Sequence, residues 1–309
     1  MKVAHTATRS RTLVVGLSAA ALSFSVASTA SASTDTTEPG HTMGTTAGDA
    51  TDNTLHITQR DYEFEVEGAL TAGSVSIAVE NLGAEFHEIG MAKLIDGHTV
   101  DEVRAALEAA SEDEDPLTGL VEDDSVIDEL GGVAAPGTAY TMSGEGIEAG
   151  EYVLICFIPN SEGVPHYQLG MVSGFTIAEG DATQASEADA TYTVSDEGLD
   201  GPSELAAGDT SIQFVNDSAA TREITLFKVK EGSTLDDVLA YFASGEEGPP
   251  PDFASGPIEF LAFVFDGASD RTMTVNLTEG QWVLQTPDPE HPFGGDPTED
   301  PHTLLVTVA

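Results

Sequence analysis

Short segments in which apolar and polar residues alternate dominate the chain beyond residue 53. TLHITQ, YEFEV, SVSIAVE, FHEIGMAKL, AYTMS, EYVLICF and VSGFTIA are rich in β-branched and aromatic residues, and Gly, Asn, Asp and Pro divide them. A period of two sends successive side chains to opposite faces of a strand, so this pattern predicts an all-β sandwich of short strands. One stretch breaks the rule. From Thr99 to Ala110, TVDEVRAALEAA opens on a capping residue and places Val103, Ala106 and Leu107 on one helical face. TGLVEDDSVIDEL, residues 118–130, reads as a second short helix.

The pattern occurs twice. LIDGHTVDEVRAALEAASEDEDP (94–116) aligns with VKEGSTLDDVLAYFASGEEGPPP (229–251), matching Gly97 with Gly232, Thr99 with Thr234, Asp101 with Asp236 and Val103 with Val238. FHEIGMAKL precedes the first copy and TREITLFKV the second; AYTMSGEGIEAGEYVLIC follows the first and DRTMTVNLTEGQWVLQT the second. A period of roughly 130 residues is too long for a solenoid unit and fits two domains of ordinary size. The expected organisation is two tandem Greek-key sandwiches, 53–180 and 186–309, each with a short helical insertion. The boundary falls in the polar stretch GDATQASEADA.

The beginning of the chain sets the expected compartment. Residues 1–32 combine a basic start (Lys2, Arg9, Arg11), the apolar run TLVVGLSAAALSFSVA and the small-residue site Ala30-Ser31-Ala32, the pattern of a secretory signal. Residues 33–52, STDTTEPGHTMGTTAGDATD, lack apolar periodicity and read as a flexible linker. No later stretch reaches the ~18 apolar residues of a membrane span. The expected product is therefore secreted or sits at the cell-envelope exterior, without an integral membrane segment after signal removal. With 54 Asp plus Glu against 10 Lys plus Arg, the formal charge is −44. A polyanion of this kind repels nucleic acid, which leaves that partner class out.

Cys156 is the single cysteine. Exported chains that use cysteine structurally carry it in pairs, so a lone one points to a free thiol or a metal ligand. It lies in GEYVLICFIPNSEGVPHYQLGMVSGFTI, followed by His166 and then Met171, while NLGAEFHEIGM supplies a second imidazole at His87. Alternation puts Tyr152, Leu154 and Cys156 on one strand face, and His87 on a face with Ile89 and Met91. A thiolate and two imidazoles in a plane, with a weak thioether above, hold either copper oxidation state with little rearrangement. Taken singly, each residue also has a structural reading: a core histidine, a small buried apolar residue, a loop histidine and a core-filling methionine.

In order and strand context this set resembles the cupredoxins, the blue-copper family that includes plastocyanin, azurin and the first domain of the copper nitrite reductases. The resemblance implies one mononuclear type 1 copper, with His87, Cys156 and His166 as equatorial ligands and Met171 axial. It also implies one-electron exchange with a redox partner protein. Where family members commonly have Asn after the upstream His, this chain has Glu88. In the second half Arg222 replaces His87 and Thr286 replaces Cys156, while Pro301-His302 aligns with Pro165-His166 and no Met follows. That half is expected to keep the frame without the metal. The chain has 8 His and no His-X-His pair, nor a Gly-X-Ser-X-Gly elbow, phosphate loop or His-Glu-X-X-His helix. The expectation is thus a non-enzymatic exported copper protein. The alternatives are a copper buffering or delivery protein, and a metal-free extracellular binding module.

Overall fold

The structure is a computed structural model that describes residues 53–110, 116–122, 130–183, 188–229, 232, 234, 260–265, 267, 269–286 and 301–309. The expected signal and linker, the helix expected in the second half and most of the one expected over 118–130 lie outside these residues. Within the latter, residues 116–120 form a turn.

The alternating segments become β1 (Thr54–Arg60), β2 (Glu63–Glu67), β3 (Leu70–Asn81), β4 (His87–Lys93), β5 (Gly132–Ala134), β6 (Ala139–Ile147), β7 (Gly150–Ile155) and β8 (Val172–Ala182). A second series follows: β9 (Ala190–Ser195), β10 (Gly198–Asp200), β11 (Glu204–Leu205), β12 (Gly208–Asn216), β13 (Arg222–Val229), β14 (Phe260–Phe265), β15 (Ser269–Leu277), β16 (Gly280–Gln285) and β17 (Thr303–Val308).

Pairing joins the strands into two sheets that each run through both halves. One has the order β2-β1-β3-β6-β15-β12-β9-β10. The other has the order β8-β7-β4-β5-β14-β13-β16-β17. At one outer corner the sheets meet, where β8 runs in parallel beside β3 (Leu70 opposite Ile177); at the far end β11 adds a parallel strand to β17 (Leu205 opposite Val308). The halves join edge to edge, through β6 and β15 (Met142 opposite Met273) and through β5 and β14 (Ala134 opposite Leu261). Sharing edges in this way satisfies backbone groups that two separate sandwiches would leave unpaired.

Between the sheets one apolar core runs from Leu55, Ile57 and Ile77 through Met142 and Met273 to Trp282 and Val308. A second cluster covers the outer face of β4 and β7. There α1 (Val100–Ala109) lays Val103 and Leu107 on Ala92, Leu94, Val153, Ile155 and Val172. Its N-terminus is closed by a capping box: Glu102 N–H donates to the Thr99 hydroxyl, and Thr99 N–H to the Glu102 carboxylate at 2.9 Å. The helix starts where the pattern predicts, with Val103 and Leu107 buried. Because α1 covers one face and the core the other, β4 and β7 are buried on both sides. This pair carries the candidate ligands.

Candidate metal centre

His87 opens β4 and lies opposite Ala134 of β5. Three residues on, Gly90 lies opposite Ile155, so Cys156, just past the end of β7, returns level with the start of β4. The following loop folds back on itself. The Asn160 carboxamide oxygen accepts from Glu162 N–H (2.9 Å) and Val164 N–H (3.0 Å), Pro159 bridges to Pro165, and His166 N–H reaches Ile158 C=O at 2.9 Å. A single 3-10 turn, His166–Leu169, ends on Gly170 at φ 117°, a left-handed geometry that glycine adopts freely. That turn brings Met171 N–H to His166 C=O (3.0 Å) and Met171 C=O to Cys156 N–H (3.2 Å). Four distant sequence positions are thus fixed by backbone hydrogen bonds before any side chain is considered.

The side chains of three of them converge. His87 Nδ1 lies 3.1 Å from His166 Nδ1, and Cys156 Sγ lies 3.4 Å from the same His166 nitrogen. All three donor atoms fall within 4.8 Å of one another, and all three residues are fully buried. Met171 is equally buried in the adjoining core, tied through its backbone to both Cys156 and His166.

Each imidazole presents Nδ1 inward because its Nε2 is engaged outside. His87 Nε2 is 2.7 Å from Asp61 Oδ1, and His166 Nε2 is 2.9 Å from Glu85 Oε2. Tyr62 completes this outer layer. Its ring packs on His166 with centroids 4.8 Å apart, and its hydroxyl lies 3.3 Å from Glu85 Oε1. Glu88 also ties the candidate ligand segments together. Its N–H donates to Cys156 Sγ at 3.3 Å, and its carboxylate accepts from Phe157 N–H at 3.2 Å.

Protonation follows from burial. Desolvation lowers the pKa of both His87 and His166, against the pull of Asp61 and Glu85, so the neutral ligating form is favoured. The Cys156 thiol is pushed up, first by burial and then by the Glu88 charge. Partial burial opposes ionisation of Asp61, but hydrogen bonds from Ala84 N–H and His87 hold its pKa below the ordinary carboxylate value.

The second half offers an internal comparison. Thr225 lies opposite Gln285, which places Arg222 and Thr286 in the register of His87 and Cys156. Arg222 is buried and paired with Asp196 at 2.6 Å, and the Thr286 hydroxyl is buried without a hydrogen-bond partner among the described residues. A guanidinium fills the place of a ligand with a charge of its own. The expected match of His302 with His166 is corrected by register. Thr286 N–H bonds His302 C=O at 2.9 Å, as Cys156 N–H bonds Met171 C=O, so His302 stands where Met171 does. The position equivalent to His166 lies outside the described residues.

Asp61, Glu85 and Tyr62 were not foreseen from sequence. They come from the β1–β2 turn and the β3–β4 loop, whose approach to the ligands is a tertiary event without periodic signature. Glu85, two residues before His87, was the only local hint.

No protein-family model matches the chain, and no curated protein is similar to it. Solved structures do align. Dithionite-reduced auracyanin from the photosynthetic bacterium Roseiflexus castenholzii is 19% identical, with 42% of this chain and 99% of that one covered, at a TM-score of 0.27. A multicopper oxidase is 11% identical over 83% of this chain and 88% of that one, at 0.25. A copper-containing nitrite reductase from Thermus scotoductus is 10% identical over 83% and 61%, at 0.22.

These neighbours correct one expectation. Oxidase and reductase structures are among those that align with the chain, and the expectation of a non-enzyme, drawn from the lack of a His-X-His pair, does not stand. Strand order, register and the converging side chains of β4 and the β7–β8 connection together define an all-β, cupredoxin-like sandwich.

Proposed function

We propose that the chain would hold one copper ion through His87 Nδ1, Cys156 Sγ and His166 Nδ1, with the Met171 thioether as a further ligand, and exchange single electrons with a redox partner protein outside the cytoplasm. The observation that carries this reading is the convergence of one thiol and two inward-facing imidazole nitrogens in a buried pocket. The donor set fits the group. Donors ~2.0–2.3 Å from a shared ion, at tetrahedral or trigonal angles, lie about 3.4–3.8 Å apart. The spacings of 3.1 and 3.4 Å therefore need slight widening, while His87 and Cys156 place their donor atoms within 4.8 Å of each other. One thiolate with two imidazoles is the soft and borderline mixture that favours copper over magnesium or calcium.

When bound, copper would supply one-electron cycling between its two common oxidation states. The protein's part is to keep the ligands in place through that cycle. β4 and β7 are held from both faces, Glu88 N–H steadies the sulfur, and the apolar surroundings exclude water that would add a ligand. Residues 53–180 and 186–309 would then be two cupredoxin-like domains, the first carrying the metal and the second carrying Arg222 in its place.

The test is a Cu(II) titration of the purified full chain. One equivalent should produce an intense visible thiolate-to-copper band, absent in Cys156→Ser. Binding without that band would favour buffering or delivery, and failure of a folded sample to hold copper would favour a metal-free module.

A further inference from the structure

Both imidazoles are capped by a carboxylate, and the two caps are built as one unit. Asp61 Oδ1 takes His87 Nε2, while its Oδ2 accepts from Ala84 N–H at 2.9 Å. The neighbouring residue, Tyr62, packs on His166 and hydrogen-bonds Glu85, which in turn takes His166 Nε2. Asn81 braces the loop between them: its amide donates to Glu85 C=O (2.9 Å) and Ala134 C=O (2.8 Å), and its oxygen accepts from Gly83 N–H (2.8 Å). A methyl group on Gly83 would stand 2.5 Å from His87 Nε2 and closer still to Asp61 Oδ1. The loop is packed directly against the carboxylate–imidazole pair.

The second half shows which part of this device belongs to the ligand set. There Asn216 braces its loop with the same offsets, donating to Ala220 C=O and accepting from Ser218 N–H. Asp196 occupies the β9–β10 turn as Asp61 does the β1–β2 turn, and it still contacts the residue at the ligand position, Arg222. Counting from the brace, Ala220 stands where Glu85 would. The half without the thiol keeps the first carboxylate, which meets a buried cation, and lacks the second.

We infer that Asp61 and Glu85 are positioning residues that fix both imidazoles as Nε2–H tautomers, aim the two Nδ1 lone pairs at one point, and favour the more highly charged state of the ion held there. The inference deepens the copper reading and rests on it. A neutral imidazole carries one N–H, so donating Nε2–H to a carboxylate leaves Nδ1 as acceptor. With both rings so fixed, two lone pairs face each other at 3.1 Å, an arrangement that a cation between them relieves. Carboxylates on the far nitrogens raise ligand basicity, and losing such a partner typically costs ~10–100-fold in metal affinity. A negative charge favours Cu(II) over Cu(I), so removing one raises the reduction potential. Each tenfold loss of Cu(II) affinity relative to Cu(I) corresponds to about 59 mV.

The experiment uses the full chain with Glu85→Gln, Glu85→Leu and Asp61→Asn, read by copper affinity, charge-transfer band and reduction potential. Glu85→Gln, which keeps an acceptor oxygen and loses the charge, should retain the band with a raised potential. Glu85→Leu, which loses both, should bind Cu(II) about 10–100-fold more weakly, and Asp61→Asn should raise the potential as Glu85→Gln does. Nitrogen-15 NMR of the metal-free wild type should show a proton on Nε2 of both His87 and His166, whatever the copper result. Wild-type potential and affinity in all three variants, or Nδ1–H tautomers with free Nε2, would overturn the inference. Absence of copper binding by the wild type would instead overturn the copper reading, and the NMR result would still decide the tautomers.

Discussion

Replacing Gly83 with alanine should break the site from outside without touching a ligand. The added methyl would sit 2.5 Å from His87 Nε2, 3.0 Å from His87 Cδ2 and nearest of all to Asp61 Oδ1. No flexible chain end can yield there, because Asp61 is pinned by Ala84 N–H and His87 is fully buried. The backbone itself is not the obstacle: Ser218 occupies the equivalent place in the second half, where its hydroxyl accepts from Arg222 Nε at 3.1 Å. Overpacking costs about 1–3 kcal/mol, and displacing the Asp61–His87 hydrogen bond adds about 1.5–3 kcal/mol. Urea unfolding of the metal-free protein should therefore show a loss of about 2.5–6 kcal/mol, together with weakened copper binding. In an Asp61→Ala background the same substitution should cost less, since the closest clash and the hydrogen bond are already gone. A Gly83→Ala protein with stability within about 0.5 kcal/mol of wild type and an unchanged copper spectrum would refute the packing account.

Three further outcomes follow from the same geometry. Burial lowers the folded-state pKa of His87 and His166, so below about pH 6.5 the unfolded chain binds more protons than the folded one. Metal-free stability should fall as pH drops from 6.5 through the folded-state values, with a shallower slope in His166→Asn; equal slopes would contradict this. Leu107→Ala in α1 should cost about 2–5 kcal/mol by urea denaturation, because its side chain is 2% exposed against the outer face of β4 and β7. The raised Cys156 pKa, together with burial, should make iodoacetamide alkylation at pH 8 slow in the folded metal-free protein and fast once urea unfolds it.

The strands that carry the candidate residues were legible because alternation is a local signal. Cys156 and His87 turn inward with Leu154 and Ile89, as their spacing requires. The helix over Thr99–Ala110 was equally readable, since its cap and its buried stripe lie within a dozen residues. What could not be read is what depends on distant segments meeting. The joining of β5 to β14 and of β6 to β15 leaves no mark on either strand's period. Asp61 and Glu85 look like two more acids in a chain of 54 until the β1–β2 turn closes over the β3–β4 loop. His302 was matched by its neighbouring proline, Pro301, and only strand register moved it to the Met171 position.

Anomalous scattering at the copper edge, from crystals of the copper-loaded full chain, tests the central claim most directly. A single strong peak bonded to His87 Nδ1, Cys156 Sγ and His166 Nδ1, with none beside Arg222, is the predicted result. Copper bound elsewhere, or a copper-saturated protein whose three donor atoms remain unliganded, would contradict it.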